Sequence, residues 1–474
     1  MTPGGVGICL VCLPGMEPAV SAAREHLRWI EIEPQVSWVP ELGVGSVLRS
    51  GPVRAARECG VGVLVHSVSA PVGGTVPPGA DQVTLLAELA AEFECPWVSE
   101  HLSILRIPGE TGPVTTGVLL APPQTPAGVA VAAANIARLR RGVGVPIAFE
   151  TGVNYLRPRP GELDDGEFFA AVAQAADCGI LLDLHNLWCN EQNGRQPAAE
   201  VLAALPLERV WEIHVAAGYW RQGHYLDAHS GPAERPVLDL LRAVLPRTPQ
   251  LRAVTFEVSP DRLVAGLTFD QVVGQLAELT TIVGARAAPE PGHVRSASTG
   301  PTAGTEAIAE VGAWERALGG LALGRPARGA VVESIRADPG HRVWCDIALA
   351  SRRGQLAGLL PLSVTLLRLT VGEADLLAQL DALWARAAPE ENAAAETARV
   401  ATFLRDRYQA IDFLPDVLDY ELALQHCAWE PHREHSIKFG YDPAEVIGAL
   451  QAGRLPDCPA RQPHVIVVPA RTPA

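Results

Sequence analysis

Eight short apolar runs between residues 6 and 259 constrain this chain more than any other feature. They are VGICLVCL (6–13), RWIEIE (28–33), VGVLVH (61–66), PWVSEHL (96–102), VPIAFE (145–150), GILLDLH (179–185), RVWEIHV (209–215) and AVTFEVS (253–259). Each has the length of a strand, and stretches with helical spacing of apolar residues lie between most of them. Apolar strands alternating with helices read as a parallel sheet covered by helices. Eight such units fit a closed barrel. An open doubly wound sheet is the competitor, but it usually carries a Gly-rich phosphate loop after its first strand, and no GxGxxG lies there. The expectation is an α/β fold, a (β/α)8 TIM barrel over residues 1–284, followed by a smaller α+β domain.

The helices between the runs have readable ends. Asp81 is placed to cap a helix through Cys95, with Val83, Leu86, Leu89 and Ala90 on one face. Asp165 is placed to cap another that carries Phe168, Phe169, Val172 and Ala176. Residues 127–141, 235–245 and 269–283 continue the alternation. Residues 285–306 are rich in Pro, Gly, Ser and Thr without periodicity, and read as a linker. Residues 307–474 have a different rhythm: helical patterns at WERALGGLAL, at 389–408 and from FLPDVLDYELALQHCAWEP, then a strand-like HVIVVPA.

Charge and cysteine usage exclude some classes. The net charge is −15, from 38 basic and 53 acidic residues, which argues against a surface built for nucleic acid. No apolar stretch reaches membrane-spanning length. The N-terminal MTPGGVGICLVCLPG lacks a charged leading region, so its apolar run reads as a strand and not as a signal peptide. The nine cysteines are scattered and odd in number. Cys9 and Cys12 form a CxxC inside an apolar run with no second pair nearby. Buried reduced thiols and a cytoplasmic setting are expected.

The ends of the runs carry the chemistry. Strand three ends in His66, strand four in Ser99-Glu100-His101, strand five in Glu150, and strand six in Asp183 and His185. Strand seven ends in Glu212 and His214, strand eight in Glu257, and the loop after strand seven adds Asp227 and His229. In a barrel these ends share one face. Clustered carboxylates repel, and burying several together is costly unless cations neutralise them. Imidazole and carboxylate ligands without thiolate suit iron, manganese, zinc or magnesium.

Each residue also has a plainer reading. A single histidine is more often a hydrogen-bonded core or rim residue, Glu150 or Glu257 alone could be a salt-bridged strand end, and Glu212 could be a structural ion pair on the face of His214. Glu100 alternates to the face opposite His101 and is read as structural. His224 is read as an exposed loop residue. It is the joint pattern that points to metal.

With those residues in view, the first 284 residues resemble the multinuclear non-heme iron-dependent oxidative enzymes, the family of the methanobactin biosynthesis iron subunit. HSVS at His66, SEHL at Ser99–Leu102, AFETGVNYL at Glu150, LLDLHNLWCN at Asp183, EIHVAAG at Glu212, YLDAHSGP at Asp227 and TFEVSPDRL at Glu257 carry the match, in order. The resemblance implies a triosephosphate-isomerase-type barrel with two or three irons in mixed Fe(II)/Fe(III) states, and O2 as co-substrate. It implies ligand roles for His66, His101, Glu150, Asp183, His185, His214, Asp227, His229 and Glu257, and more weakly Glu212. It further implies a ribosomally made precursor peptide, modified most often at cysteine, whose thiolate binds one iron while another activates O2. Two departures stand out. Relatives often have Glu-Asn where this chain has Glu150-Thr151, and Asp-x-Asn-Asn where it has Asp183-Leu184-His185-Asn186. RYQAIDFLPDVLDYELAL (407–424) resembles the helical segment of partner proteins that recruit the leader peptide, which implies a fused recognition domain. HCAWEPHREH, with Cys427, His432 and His435, is read as a loop rather than a metal site.

Two other readings remain open at this level: a divalent-metal sugar isomerase or phosphodiesterase on a related barrel, and a non-catalytic metal-binding or scaffold protein.

Overall fold

The computed structural model describes residues 5–109, 112–264, 266–287, 302–387, 390, 393–429, 434–457 and 461–468. Eight strands form a closed parallel barrel: β1 (Gly7–Val11), β2 (Leu27–Ile32), β3 (Gly62–Ser67), β4 (Val98–His101), β5 (Ile147–Glu150), β6 (Gly179–Asp183), β7 (Val210–Val215) and β8 (Ala253–Phe256). Each strand pairs with its sequence neighbour, and β8 closes on β1 with Gly7 opposite Ala253. All eight apolar runs therefore become barrel strands.

Alternation along each strand sorts residues between barrel interior and helix-facing layer. The outward residues Ile8, Leu10, Ile30, Val63, Val65, Val98, Ile147, Phe149, Ile180, Leu182, Ile213 and Val254 pack with the surrounding helices in one continuous core. A buried Phe such as Phe149 contributes about 2–3 kcal/mol by leaving water. The inward floor is a separate apolar layer of Cys9, Leu64, Trp97, Ala148, Leu181 and Ala253, with Trp29 and Trp211 against it. Gly179 starts β6 because a Cβ there would lie 2.2 Å from the Trp211 ring. Two residues above this floor, the same parity delivers His66, Glu150 and Asp183 to the mouth, and four residues above it His101 and Glu257; His214 joins them from β7.

The helix ends differ in detail from the sequence expectation. The helix Ala80–Glu92 has Gly79 as its N-cap, and Asp81 lies in its first turn, where a carboxylate still favours the helix dipole. The helix Asp165–Ala176 has Asp164 at the cap, because the buried Asp165 carboxylate is taken by Arg195 and Gln124. Thr125 and Thr268 cap the helices Pro126–Val143 and Phe269–Gly284, the latter with a full capping box. The segment after β7 is not a simple loop. Gly218–Arg221 and His224–Asp227 form an antiparallel hairpin, turned at Gln222 and Gly223, both with positive φ. His224 accordingly starts a hairpin strand and is half-buried rather than exposed.

By contacts the chain divides into two units. The first is Met1–Pro108, Leu119–Gly319 and Ala327–Val343; the second is Gly109–Val118, Gly320–Pro326 and Trp344–Ala474. The expected linker, 285–306, lies mostly outside the described residues. The helix Thr305–Ala322 begins in the first unit, where Trp314 Nε1 donates to the Ala121 carbonyl at 2.9 Å and Glu315 accepts from Thr75. The second unit is mainly helical, with a core of Leu360, Leu366, Leu380, Trp384, Leu404, Leu414, Leu418 and Phe439. Its one described sheet pairs His435–Phe439 with His464–Val468. Of HCAWEPHREH, His426 to Trp429 end the helix Leu414–Trp429, and His435 starts that sheet; the stretch between, with His432, lies outside the described residues. No described helix is long and apolar enough to cross a membrane.

Candidate metal centre

At the C-terminal mouth of the barrel, Glu150 Oε2 lies 3.3 Å from His66 Nε2 and 2.9 Å from His101 Nε2. Both rings have their other nitrogen engaged. His101 Nδ1 is 3.0 Å from the Ser67 carbonyl, an acceptor only, so Nδ1 carries the proton. His66 Nδ1 is 2.9 Å from Ser99 Oγ, whose own hydrogen points to the Val65 carbonyl. Each ring thus turns its remaining nitrogen, Nε2, toward the same carboxylate oxygen. Two imidazoles and a carboxylate converging within about 3 Å in a buried site could hold a cation.

The second group shares Glu150. Asp183, His214 and Glu257 join it, with one ligand atom from each lying within 4.8 Å of the others. His214 Nδ1 is 3.3 Å from Glu257 Oε2 and 3.8 Å from Glu150 Oε1. Asp183 caps the helix Leu184–Gln192: its Oδ1 accepts from Asn186 N at 2.9 Å, while Oδ2 is buried without a partner. Thr151, one of the departures noted above, accepts from Asp183 N at 2.9 Å through its hydroxyl and from Asn186 Nδ2 at 3.2 Å through its carbonyl. It holds the strand end that carries Asp183.

A third cluster lies beside these. Asp227 Oδ1 is 3.0 Å from His229 Nε2 and 3.4 Å from His185 Nε2. Glu257 Oε1 is 3.3 Å from His229 Nδ1, so Glu257 stands between the second and third clusters as Glu150 stands between the first and second. His229 has φ of +44°, a left-handed conformation that non-glycine residues seldom adopt outside constrained sites. Tyr155 supports the third cluster by accepting from Asp227 N at 3.1 Å.

Charge distribution follows this geometry. Burial opposes protonation of His101, yet Glu150 holds its pKa well above the usual imidazole range. The same balance, with Glu31 as the main carboxylate for His66 and His214 and Asp227 for His229, raises those three. Asp183 is pushed well up by burial and then by Glu150, and His185 is pushed down by burial. Without cations the carboxylates rely on protonated imidazoles, and divalent ions would take over that role.

The ten residues singled out in the sequence all reach this end of the barrel, in two layers. Glu212 lies lower, with Oε2 accepting from Trp97 Nε1 at 3.0 Å and Oε1 from Thr255 Oγ1 at 2.6 Å. It forms a group with Glu31 and His214. Glu100 points out of the barrel and accepts from the backbone N–H groups of Ala70 and His101. Cys189 is buried, and its thiol faces the Tyr225 carbonyl at 3.2 Å.

Two residues were missed from the sequence. Glu31 is fully buried beside His214, and Glu33, two residues further along the chain, is raised by burial and then by Glu257. The signal was present: RWIEIE ends in two carboxylates of one parity, as the other strands do.

Comparison with known proteins agrees with the sequence resemblance. A family model described as RiPP precursor modification enzyme MbnB/TglH/ChrH matches residues 5–262. A UPF0276 protein of Streptomyces avermitilis is 30% identical over 240 residues, which is 49% of this chain and 48% of that protein. This chain therefore spans about half the length of that relative. UPF0276 proteins of Anaeromyxobacter sp. and Chromobacterium violaceum are 32% and 30% identical over 46% and 50% of this chain, and 77% and 86% of their own lengths. Among solved structures, D-allulose 3-epimerase from Methylomonas sp. aligns over 59% of this chain and 99% of its own, with TM-score 0.38 and 15% identity. A xylose isomerase-like TIM barrel protein from Mycobacterium smegmatis aligns over 59% and 96%, with TM-score 0.38 and 13% identity.

Proposed function

Because this chain belongs, through residues 5–262, to the family of RiPP precursor modification enzymes described by MbnB/TglH/ChrH, we propose that it is a multinuclear iron enzyme that uses O2 to modify a ribosomally made precursor peptide, at cysteine. The observation that carries this reading is the row of three ligand clusters joined by Glu150 and Glu257.

His66, His101 and Glu150 would hold one ion. Asp183 and His214 would hold a second with Glu150 and Glu257, and His185, Asp227 and His229 a third. When bound, the ions supply a Lewis acid for a peptide thiol and a redox partner for dioxygen. The chain's own part is orientation. The Ser67 carbonyl and Ser99 hydroxyl hold the proton on Nδ1 of His101 and His66, which directs each Nε2 to the place a cation would take. Asn186 N–H holds one oxygen of Asp183 and leaves the other for a cation. The apolar floor of Cys9, Leu64 and Leu181 closes the site from below. The second unit, with the 407–424 segment, would recruit the leader peptide and so raise its local concentration at the barrel. The chain's setting is cytoplasmic in this reading.

The test is metal analysis of protein made with ample iron, combined with O2 uptake in the presence of the cognate peptide. More than one iron per chain and peptide-dependent O2 consumption support the reading. Zinc alone without O2 uptake, or O2-independent turnover of a sugar or a phosphodiester, would replace it.

A further inference from the structure

Beneath the three clusters, the barrel buries a carboxylate against the His214 imidazole. Glu31, on β2, is completely inaccessible. Its Oε1 lies 3.0 Å from His214 Nε2. The neighbouring Glu212 is 3.8 Å from the same nitrogen, but its two oxygens are already held by Trp97 and Thr255. Glu31 is therefore the acceptor left over for His214. The opposite nitrogen, Nδ1, faces Glu257 and Glu150 in the mouth.

An imidazole that binds a metal through one nitrogen carries its proton on the other, and a carboxylate on that proton fixes the ring and strengthens it as a donor. We propose that Glu31 is the positioning residue of His214: it takes up the Nε2–H, sets the tautomer with a bare Nδ1, and aims that atom at the ion shared with Glu150, Asp183 and Glu257. This inference rests on the metal-centre reading above. It separates the two deep carboxylates by role, since Glu212 is anchored by neutral donors and braces the layer, while Glu31 acts on the ligand. His66 and His101 are oriented by a hydroxyl and a carbonyl, so His214 is the ligand whose donor strength a full negative charge would tune.

The test uses the full chain, freed of metal and titrated with Co(II) alone. Glu31→Gln keeps the volume and an acceptor oxygen but removes the charge. The expected result is a melting curve like that of the parent, Co(II) affinity weaker by about 10–100-fold at the His214 centre, and a shifted visible absorption band for that ion. Parent-like affinity and spectrum would overturn the proposal. So would loss of one whole Co(II) equivalent with the remaining ions unaffected, because Glu31 would then be a ligand in its own right. If the parent itself binds no Co(II), the metal-centre reading falls and takes this with it; if the parent binds and the variant matches it, only the role of Glu31 falls. A second measurement avoids mutation altogether. In Zn(II)-loaded protein with 15N-labelled histidine, His214 should show a protonated Nε2 and a metal-bound Nδ1, and the reverse assignment would refute the proposal.

Discussion

Glu150 Oε2 lies 2.9 Å from His101 Nε2. The Nδ1 proton of His101 is held by the Ser67 carbonyl. On the Nε2 side, either a second ring proton or a cation in its place balances the buried carboxylate. The relationship is reproduced by His66, and at the far side of the site by Asp227 with His185.

Glu150 should therefore count for two ions rather than one. Glu150→Gln is expected to empty or weaken both the His66/His101 and the His214 positions, with activity falling by about 100-fold or more, as a lost metal site would demand. Elemental analysis after gel filtration checks it; a variant that loses a single ion and keeps the other at full affinity would contradict the bridging geometry.

His185 offers a selective test. Among the described residues, its charged neighbour within ion-pair distance is Asp227. His185→Asn should weaken the third position by about 10-fold or more and leave the His66/His101 position intact. Competitive titration against a coloured chelator resolves the two classes of site.

The metal-free and metal-loaded proteins should respond oppositely to pH. Burial works against protonating His66, His101, His214 and His229, but Glu31, Glu150, Glu31 and Asp227 respectively outweigh it, and all four are raised from 6.5. A folded-state pKa above the unfolded one gives stability that is complete below 6.5 and disappears as pH climbs through the folded value. Metal-free protein should thus lose thermal stability from about pH 6.5 upward. Metal affinity should rise over the same range, since ions displace those protons. Parallel melting series settle the matter, and two curves falling together would count against the site.

Arg195 links stability to the third cluster. Its Nε donates to both oxygens of Asp165 at 3.0 and 3.1 Å, and the guanidinium also reaches the Leu156 carbonyl, next to Tyr155. Arg195→Met leaves Asp165 buried without its partner and should cost about 3–5 kcal/mol. Denaturant titration measures it. A loss of less than about 1 kcal/mol would mean that the pair is not formed as described.

The local pattern of the chain was sufficient for the barrel and for most of the mouth. Two-residue alternation sends Leu64 and His66, Ala148 and Glu150, or Leu181 and Asp183 to the same side of their strands, one at the floor and one at the rim. That is a property of each strand alone, so it was legible without coordinates. Glu31 obeys the same rule, but nothing within RWIEIE itself distinguishes a carboxylate of the barrel interior from a solvated strand end.

What only the tertiary structure decided is which groups meet. Glu31 finds His214 across the interior, and Glu150 and Glu257 each stand between two clusters, because closure of β8 on β1 fixes the relative heights of strands far apart in sequence. The division into two units is another such outcome, since the helix Thr305–Ala322 attaches to the barrel unit through Trp314 and Glu315. Periodicity is set by the backbone within a few residues, whereas partnership depends on strand stagger and on which buried charges can be satisfied together. A single sequence states the first directly and the second only after it has folded.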